Sequence, residues 1–484
     1  YANYFIILLL MKIEQIYTSC LSQASYFIEN NGDAIVIDPI REVDQYIKRA
    51  KSNGCKIKYV FQTHFHADFV SGHVTLSKKT GAQIVYGPNA NPDYECIIAS
   101  DGDFFEIGNL KIEVLHTPGH TLESCSYLLY NEDNEPHAIF TGDTLFLGDV
   151  GIPDVAQRYK NTTKEELASV LYDSINTKIK PLSDNLVVYP GHGAGSACGK
   201  NMMKETVDTL KNQKVSNYAL NGKFNKEDFV KELTENLPEP PAYFPLNVRL
   251  NQTGYMDFDT VLENSMKKIN SEEFKELIKN PQIIILDTRS SKDFIKSHIK
   301  DSIFIGLEGR FAPWVGEIFK DINTPMILVC NEGSQKEAIT RLSRIGFDNC
   351  LGFLEGGIKK WIRDGNETES LENLNSKNFI DILKLNKIDI LDVRRESEFR
   401  NKHIEGAMNI PLSNLKEKAQ DIKQSDNLYI HCAAGYRSVI AISILRKMGY
   451  NKLINISDGF NGILKRDLNA NCFNSSMETT CDNT

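Results

Sequence analysis

Residues 64–69 read His-Phe-His-Ala-Asp-Phe and follow an apolar run over 57–61 that predicts a β-strand. Two imidazoles and a carboxylate at alternating positions of the turn behind a strand can be gathered into one small volume. Such donors suit a first-row metal. Three later segments, Leu115-His-Thr-Pro-Gly-His120, Phe140-Thr-Gly-Asp143 and Val188-Tyr-Pro-Gly-His192, each close an apolar run with a histidine or a carboxylate. One such residue usually only hydrogen-bonds within its loop; four in succession predict a metal site where several strands end.

A second chemistry is written in His431-Cys-Ala-Ala-Gly-Tyr-Arg-Ser438, which follows an apolar run and opens a helical pattern. Backbone N–H groups, a helix N-terminus and Arg437 around Cys432 favour thiolate over thiol, which is what a nucleophile needs. Arg437 is the fifth residue after Cys432, one short of the Cys-x5-Arg loop that fits phosphate. Cys198 lies in the glycine-rich Gly193-Ala-Gly-Ser-Ala-Cys-Gly199. Its loop amides can cradle an anionic thiol while the cysteine exchanges sulfur, and packing of a small side chain is an equal reading. His73 and His116 neighbour the candidate ligands in sequence and are expected to support them.

The elements that must position these residues are short. From residue 11 to about 250, β-rich runs at 34–37, 84–86, 111–115, 126–129, 138–140 and 186–189 alternate with polar turns, and helical patterns occupy 43–50, 164–174 and 201–213. This predicts a layered α/β domain with functional loops along one edge. The proline-rich stretch 237–245 marks its end or a strap leaving it.

An internal repeat follows. Residues 286–299 match 391–404 at a constant shift of 105, with Leu, Asp, Arg, Phe, His and Ile in register, and a second block around Cys330 matches the block around Cys432. Two α/β domains over 265–366 and 372–470 are predicted. In the middle copy Gln335 stands where the last copy has Arg437, and Glu332 is expected to raise the Cys330 thiol pKa. That copy should keep the fold and lose the site.

The chain of 484 residues exceeds one hydrophobic core and carries a net charge of -9 with both signs interspersed. No nucleic-acid partner is expected. Ten cysteines without paired spacing point to a reduced, cytoplasmic protein. Residues 1–10 are apolar but about half a membrane span in length, and are expected to be an extension ahead of a start at Met11 rather than an anchor. No membrane association is expected, and the polar end beyond 470 is expected to be disordered.

With these motifs in hand, residues 11–250 resemble the metallo-β-lactamase superfamily, an αββα sandwich. The resemblance implies a first metal on His64, His66, His120 and Asp143, and a second on Asp68, His192, the shared Asp143 and a histidine at position 69. Position 69 is phenylalanine, which has no lone pair to give. The pattern is thus more similar to the persulfide dioxygenase branch, in which one Fe(II) per chain would sit on His64, His120 and Asp143. His66 would then be a weak ligand or a neighbour, with Asp68 and His192 orienting water or substrate; zinc is the alternative metal.

The loop at Cys432, with Leu391-Asp-Val-Arg394 and His403-Ile-Glu-Gly406, resembles the rhodanese family, which implies a persulfide on Cys432 and mainly structural parts for Asp392 and Arg394. Together the resemblances imply a sulfur enzyme that oxidises a small thiol persulfide with O2 to sulfite and makes thiosulfate through Cys432. A homo-oligomer is expected. The rival is a zinc thioester hydrolase of the glyoxalase II type fused to rhodanese modules.

Overall fold

The computed structural model describes residues 11–153, 162–237, 240–422, 427–466 and 473–474. The apolar stretch 1–10 and nearly all of the polar end beyond 470 lie outside the described residues. The chain packs as two units, one running to Val261 and taking in 320–322 and 340–347, the other holding the rest. Among the described residues no helix is long and apolar enough to cross a membrane.

The first unit contains two six-stranded sheets. One runs in chain order through β1 (Lys12–Thr18), β2 (Gln23–Asn30), β3 (Asp33–Ile37), β4 (Lys56–Phe61), β5 (Gln83–Tyr86) and β6 (Ile97–Ile98). Helices α1 (Asp44–Asn53) and α2 (His73–Thr80) make its parallel crossovers. The other sheet sets β7 (Phe104–Ile107), β8 (Leu110–His116), β9 (Cys125–Tyr130), β10 (Pro136–Gly142), β11 (Val187–Pro190) and β12 (Asp208–Thr209) side by side.

Alternation along the strands sorts their side chains into two cores. Tyr127 and Leu129 join Tyr26, Ile35, Phe61 and Phe140 between the sheets. Leu128, one residue over, packs with Ala168 and Leu171 of α3 (Lys164–Ser174) on the outer face. The αββα sandwich expected from the sequence is what forms. β3 and β4 run parallel, as do β10 and β11. Each pair therefore delivers its following turns to a common end of its sheet.

One helix differs from its prediction. The pattern over 201–213 is helical only from α4 (Leu210–Ser216), because Asp149 Oδ2 accepts the Lys200 and Asn201 N–H groups and Leu147 O accepts that of Met203. Those amides are spent on tertiary partners. Thr209 then caps the helix through Asn212 N. Helices α5 (Lys226–Thr234) and α6 (Phe244–Thr253) follow, α6 with Pro245 in its first turn.

In the second unit the repeat is literal. Strands β13 (Lys268–Ile269), β14 (Ile284–Asp287), β15 (Ile303–Phe304), β16 (Met326–Val329) and β17 (Cys350–Leu354) form a parallel sheet in the order β13-β17-β16-β14-β15. The last copy repeats it with β18 (Glu372–Leu374), β19 (Asp389–Asp392), β21 (Met408–Asn409), β22 (Leu428–His431) and β23 (Leu453–Ile456), while β20 (His403–Ile404) lies outside the sheet. The residues that recur in register do the same work in both copies. Arg289 grips Asp287 at 2.6 Å and donates to Ser297 O, and Arg394 grips Asp392 at 2.6 Å and donates to Lys402 O. His298 and His403 each bond the carbonyl, and stack on the ring, of the phenylalanine four residues earlier. These are locks between a strand end and the turn beyond its helix.

Asp392 is fully buried, so breaking its pair is costly. Arg394→Ala should destabilise the second unit by about 3–5 kcal/mol, read as a lowered urea midpoint; a loss below about 1 kcal/mol would show that the pair is not a structural lock.

Candidate metal centre and cysteine loops

Four turns converge in the first unit. His64 follows β4, His120 follows β8, Asp143 follows β10 and His192 follows β11. Donor atoms of His64, His120 and Asp143 lie within 4.8 Å of one another, and the three residues are no more than 3% exposed. The Nε2 atoms of His64, His120 and His192 stand 3.9, 3.6 and 3.6 Å from Asp143 Oδ2.

The outward nitrogen of each ring explains this convergence. His120 Nδ1 donates to Ile152 O at 2.8 Å and His192 Nδ1 to Ser22 O at 3.2 Å, which leaves each Nε2 with its lone pair. For His64 the logic runs through Thr63, whose hydroxyl donates to Asp38 Oδ2 and so accepts from His64 Nδ1 at 3.0 Å. Three imidazole lone pairs thus face one carboxylate. Both Asp143 oxygens and His192 Nε2 are buried without a hydrogen-bond partner among the described residues. A carboxylate in that position is expensive unless a cation binds it, so the donor set fits a divalent metal.

His66 turns elsewhere. Its Nε2 is 3.1 Å from Asp38 Oδ1, and its ring lies 4.4 Å from the ring of Phe69, which is fully buried. Burial opposes charge on His66, but Asp38 and Asp68 outweigh it and its pKa is raised. Asp68, raised by burial, sits 3.5 Å from His192. Cys198 joins these two, with donor atoms within 4.8 Å of one another, and is nearly buried. Its carbonyl accepts from Ile152 N, so its loop also steadies the carbonyl that holds His120. His73 is buried among Tyr86, Tyr94 and Tyr255, its Nε2 bonded to the Tyr94 hydroxyl that in turn donates to Asn251 O, and desolvation pushes its pKa down to about 3.

Sequence reasoning missed the residues that aim the ligands. Asp38 receives both Thr63 N and Thr63 Oγ1 at 2.8 Å and holds a left-handed φ of 48°, rare for a side chain that is not glycine. An Asp-Pro at a strand end was the available signal. Asn251 of α6 donates to the carbonyls of His66 and Phe69 and accepts from Ser71 N, so it clamps the ligand turn from beyond the proline-rich segment. Nothing local marks it.

The two cysteine loops of the second unit differ in electrostatics. Cys432 is buried at the end of β22, where its sulfur accepts from Gly435 N at 3.2 Å and from Ser438 Oγ at 3.7 Å ahead of the helix Tyr436–Lys447. Gly435 has φ 86°, and a side chain there would meet Ser457 O at 1.9 Å. Arg437, expected beside the sulfur, spends both terminal nitrogens on Glu398 at 2.6 and 2.8 Å. Its position is therefore fixed by a carboxylate that the sequence reading overlooked. In the middle copy Cys330 accepts from Thr288 Oγ1 and is pushed up to about 12. The chief cause is burial; the exposed Glu332 is not among the causes, contrary to the sequence expectation.

Glycine makes the cluster of donor side chains possible, since a Cβ on Gly191 would stand 2.6 Å from Asp143 Oδ1. Gly191→Ala should weaken metal retention by about 10-fold or more, measured as metal per chain after dialysis against a chelator; undiminished metal in a folded variant would show that the carboxylate is not so confined.

Comparison with known proteins agrees with this architecture. Residues 18–95 match the metallo-beta-lactamase superfamily model, and residues 270–364 and 375–466 each match the rhodanese-like domain. A probable hydroxyacylglutathione hydrolase of Schizosaccharomyces pombe is 32% identical over 168 residues, 34% of this chain and 60% of that protein. The chain thus spans somewhat under two thirds of that relative. The mitochondrial persulfide dioxygenase of Bos taurus is 30% identical over 223 residues, 45% of this chain and 79% of that one. A crystal structure of a metallo-beta-lactamase from Staphylococcus aureus superposes with a TM-score of 0.62 at 30% identity, covering 71% of this chain and 98% of that one. The chain belongs to the metallo-β-lactamase superfamily and carries two rhodanese-like domains behind that fold.

Proposed function

We propose that the protein oxidises a low-molecular-weight thiol persulfide with dioxygen in its first domain and makes thiosulfate through Cys432. The observation that carries this reading is the combination of a three-residue donor set, His64, His120 and Asp143, with a buried phenylalanine where a second metal would need a histidine. Two histidines and one carboxylate leave coordination positions open, the pattern of non-haem iron oxygenases, and iron bound there would supply the redox chemistry with dioxygen. The bovine persulfide dioxygenase is a relative over this domain.

The overall oxidation balances as RSSH + O2 + H2O giving RSH, sulfite and two protons. His120 and His192 are held by backbone carbonyls and His64 by Thr63, so the donors need not reorganise on binding. Asp68 and His192 orient substrate or water from one side, and Cys198 beside them takes the outer sulfur of a persulfide, releasing its thiol. At the other centre, the Cys432 thiolate attacks the outer sulfur of a second persulfide, releasing RSH and leaving Cys432-S-S⁻. Sulfite then attacks that outer sulfur, so thiosulfate forms and the thiolate returns. Gly435 N is placed to stabilise the anionic sulfur.

A zinc thioester hydrolase is the second reading, favoured by the hydroxyacylglutathione hydrolase relatives and by the Asp68–His192 pair. Metal analysis and oxygen uptake separate the two. Near-stoichiometric iron with persulfide-dependent O2 consumption is expected, whereas zinc with thioester turnover and no O2 uptake would overturn the dioxygenase reading. Cys432→Ser should abolish thiosulfate formation while sulfite production and O2 uptake persist. Thiosulfate formed at the full rate by that variant would remove Cys432 from the mechanism.

A further inference from the structure

The middle rhodanese-like copy has lost its reactive loop yet retains an open cavity of about 390 Å³. Its walls are the start of the helix Ser291–Lys296, with Lys292, the turn after β15, with Gly306, Glu308 and Arg310, and Trp314 of the helix Phe311–Phe319. The remaining wall is Tyr436, four residues after Cys432. Its hydroxyl donates to Gly306 O at 3.0 Å and its ring lies 5.6 Å from that of Phe304, so the first residue of the helix behind the Cys432 loop closes the middle copy's cavity.

The chemistry of the walls is specific. Lys292 and Arg310 are exposed, and among the described residues neither has an ion-pair partner; Glu308 is the one acidic side chain lining the cavity. Trp314 is only partly covered, and an indole and a phenol with two cations provide flat apolar faces beside positive charge. The half-buried Glu317, raised by burial, feels Arg395, Arg310 and Arg437 together, so a cation of the cavity and the arginine of the Cys432 loop act on one carboxylate.

We propose that the middle copy is the recognition half of the sulfurtransferase, its cavity seating the phosphorylated, ring-bearing body of a nucleotide-linked thiol that exchanges sulfur with Cys432. The inference rests on the reading of Cys432 given above. The ring lies against Trp314 and Tyr436, and the phosphates face Arg310 and Lys292. A peptide thiol such as glutathione has anionic groups but no ring to place there.

Tryptophan fluorescence of the full chain tests this, because the chain has two tryptophans and the other, Trp361, is buried with its Nε1 bonded to Glu367 O. Titration with adenosine 3′,5′-bisphosphate and with coenzyme A should quench emission, and glutathione should not. The quench should vanish in Trp314→Phe, and binding should weaken at least about tenfold in Arg310→Ala. With coenzyme A persulfide as donor, Arg310→Ala should raise KM with little change in kcat. Absence of quenching by both nucleotide probes, or quenching by glutathione alone, overturns the proposal, as does binding left intact in a folded Arg310→Ala protein. Binding needs no sulfur chemistry, so quenching without sulfur transfer would refute the reading of Cys432 instead.

Discussion

The buried carboxylate of Asp143 is the constraint around which the first domain is organised. Neither oxygen has a hydrogen-bond partner among the described residues, and three imidazole nitrogens approach one of them to within 4 Å. An ionised carboxylate in an apolar interior is stable only beside a positive charge. The remaining features of the site follow from supplying that charge with prearranged donors. Backbone carbonyls and Thr63 orient the rings, Asp38 commits the Thr63 hydroxyl, and Gly191 lets the next strand end approach the carboxylate. The two-sheet sandwich is what brings the ends of β4, β8, β10 and β11 to one place.

A different constraint governs the second unit, where one frame carries two different cysteine loops. The Asp-Arg locks and the histidine-phenylalanine stacks are the same in both, so the fold does not depend on the reactive loop. What separates Cys432 from Cys330 is what surrounds the sulfur. Cys432 faces an amide at a helix start, whereas Cys330 is capped by a threonine hydroxyl and raised by burial. The middle copy's Lys292, Arg310 and Trp314 line a cavity together with Tyr436 of the last copy.

Phe69 illustrates how a residue's type and its surroundings decide different things. Its ring packs on His66 while its carbonyl is held by Asn251. His66 accordingly faces Asp38 and is not one of the three clustered donors, although the His-x-His spacing alone made it as good a ligand as His64.

Donor residues at strand ends, the 105-residue repeat and the loss of arginine from the middle copy were legible in the sequence because each is a local pattern of residue types at fixed spacing. A layered α/β domain followed by a duplicated α/β unit follows from those patterns and from hydrophobic alternation, while the sandwich and the rhodanese-like domains were implied by family resemblance. Which donors share a point was decided only by tertiary packing. Asp38, Asn251 and Glu398 act across 25, 182 and 39 residues of chain through side-chain hydrogen bonds. No spacing rule encodes such contacts, because their geometry exists only once the sheets and helices that carry them have packed. The helix that starts only at 210 teaches the same point: the amides ahead of it were claimed by Asp149 and Leu147, partners that periodicity does not see.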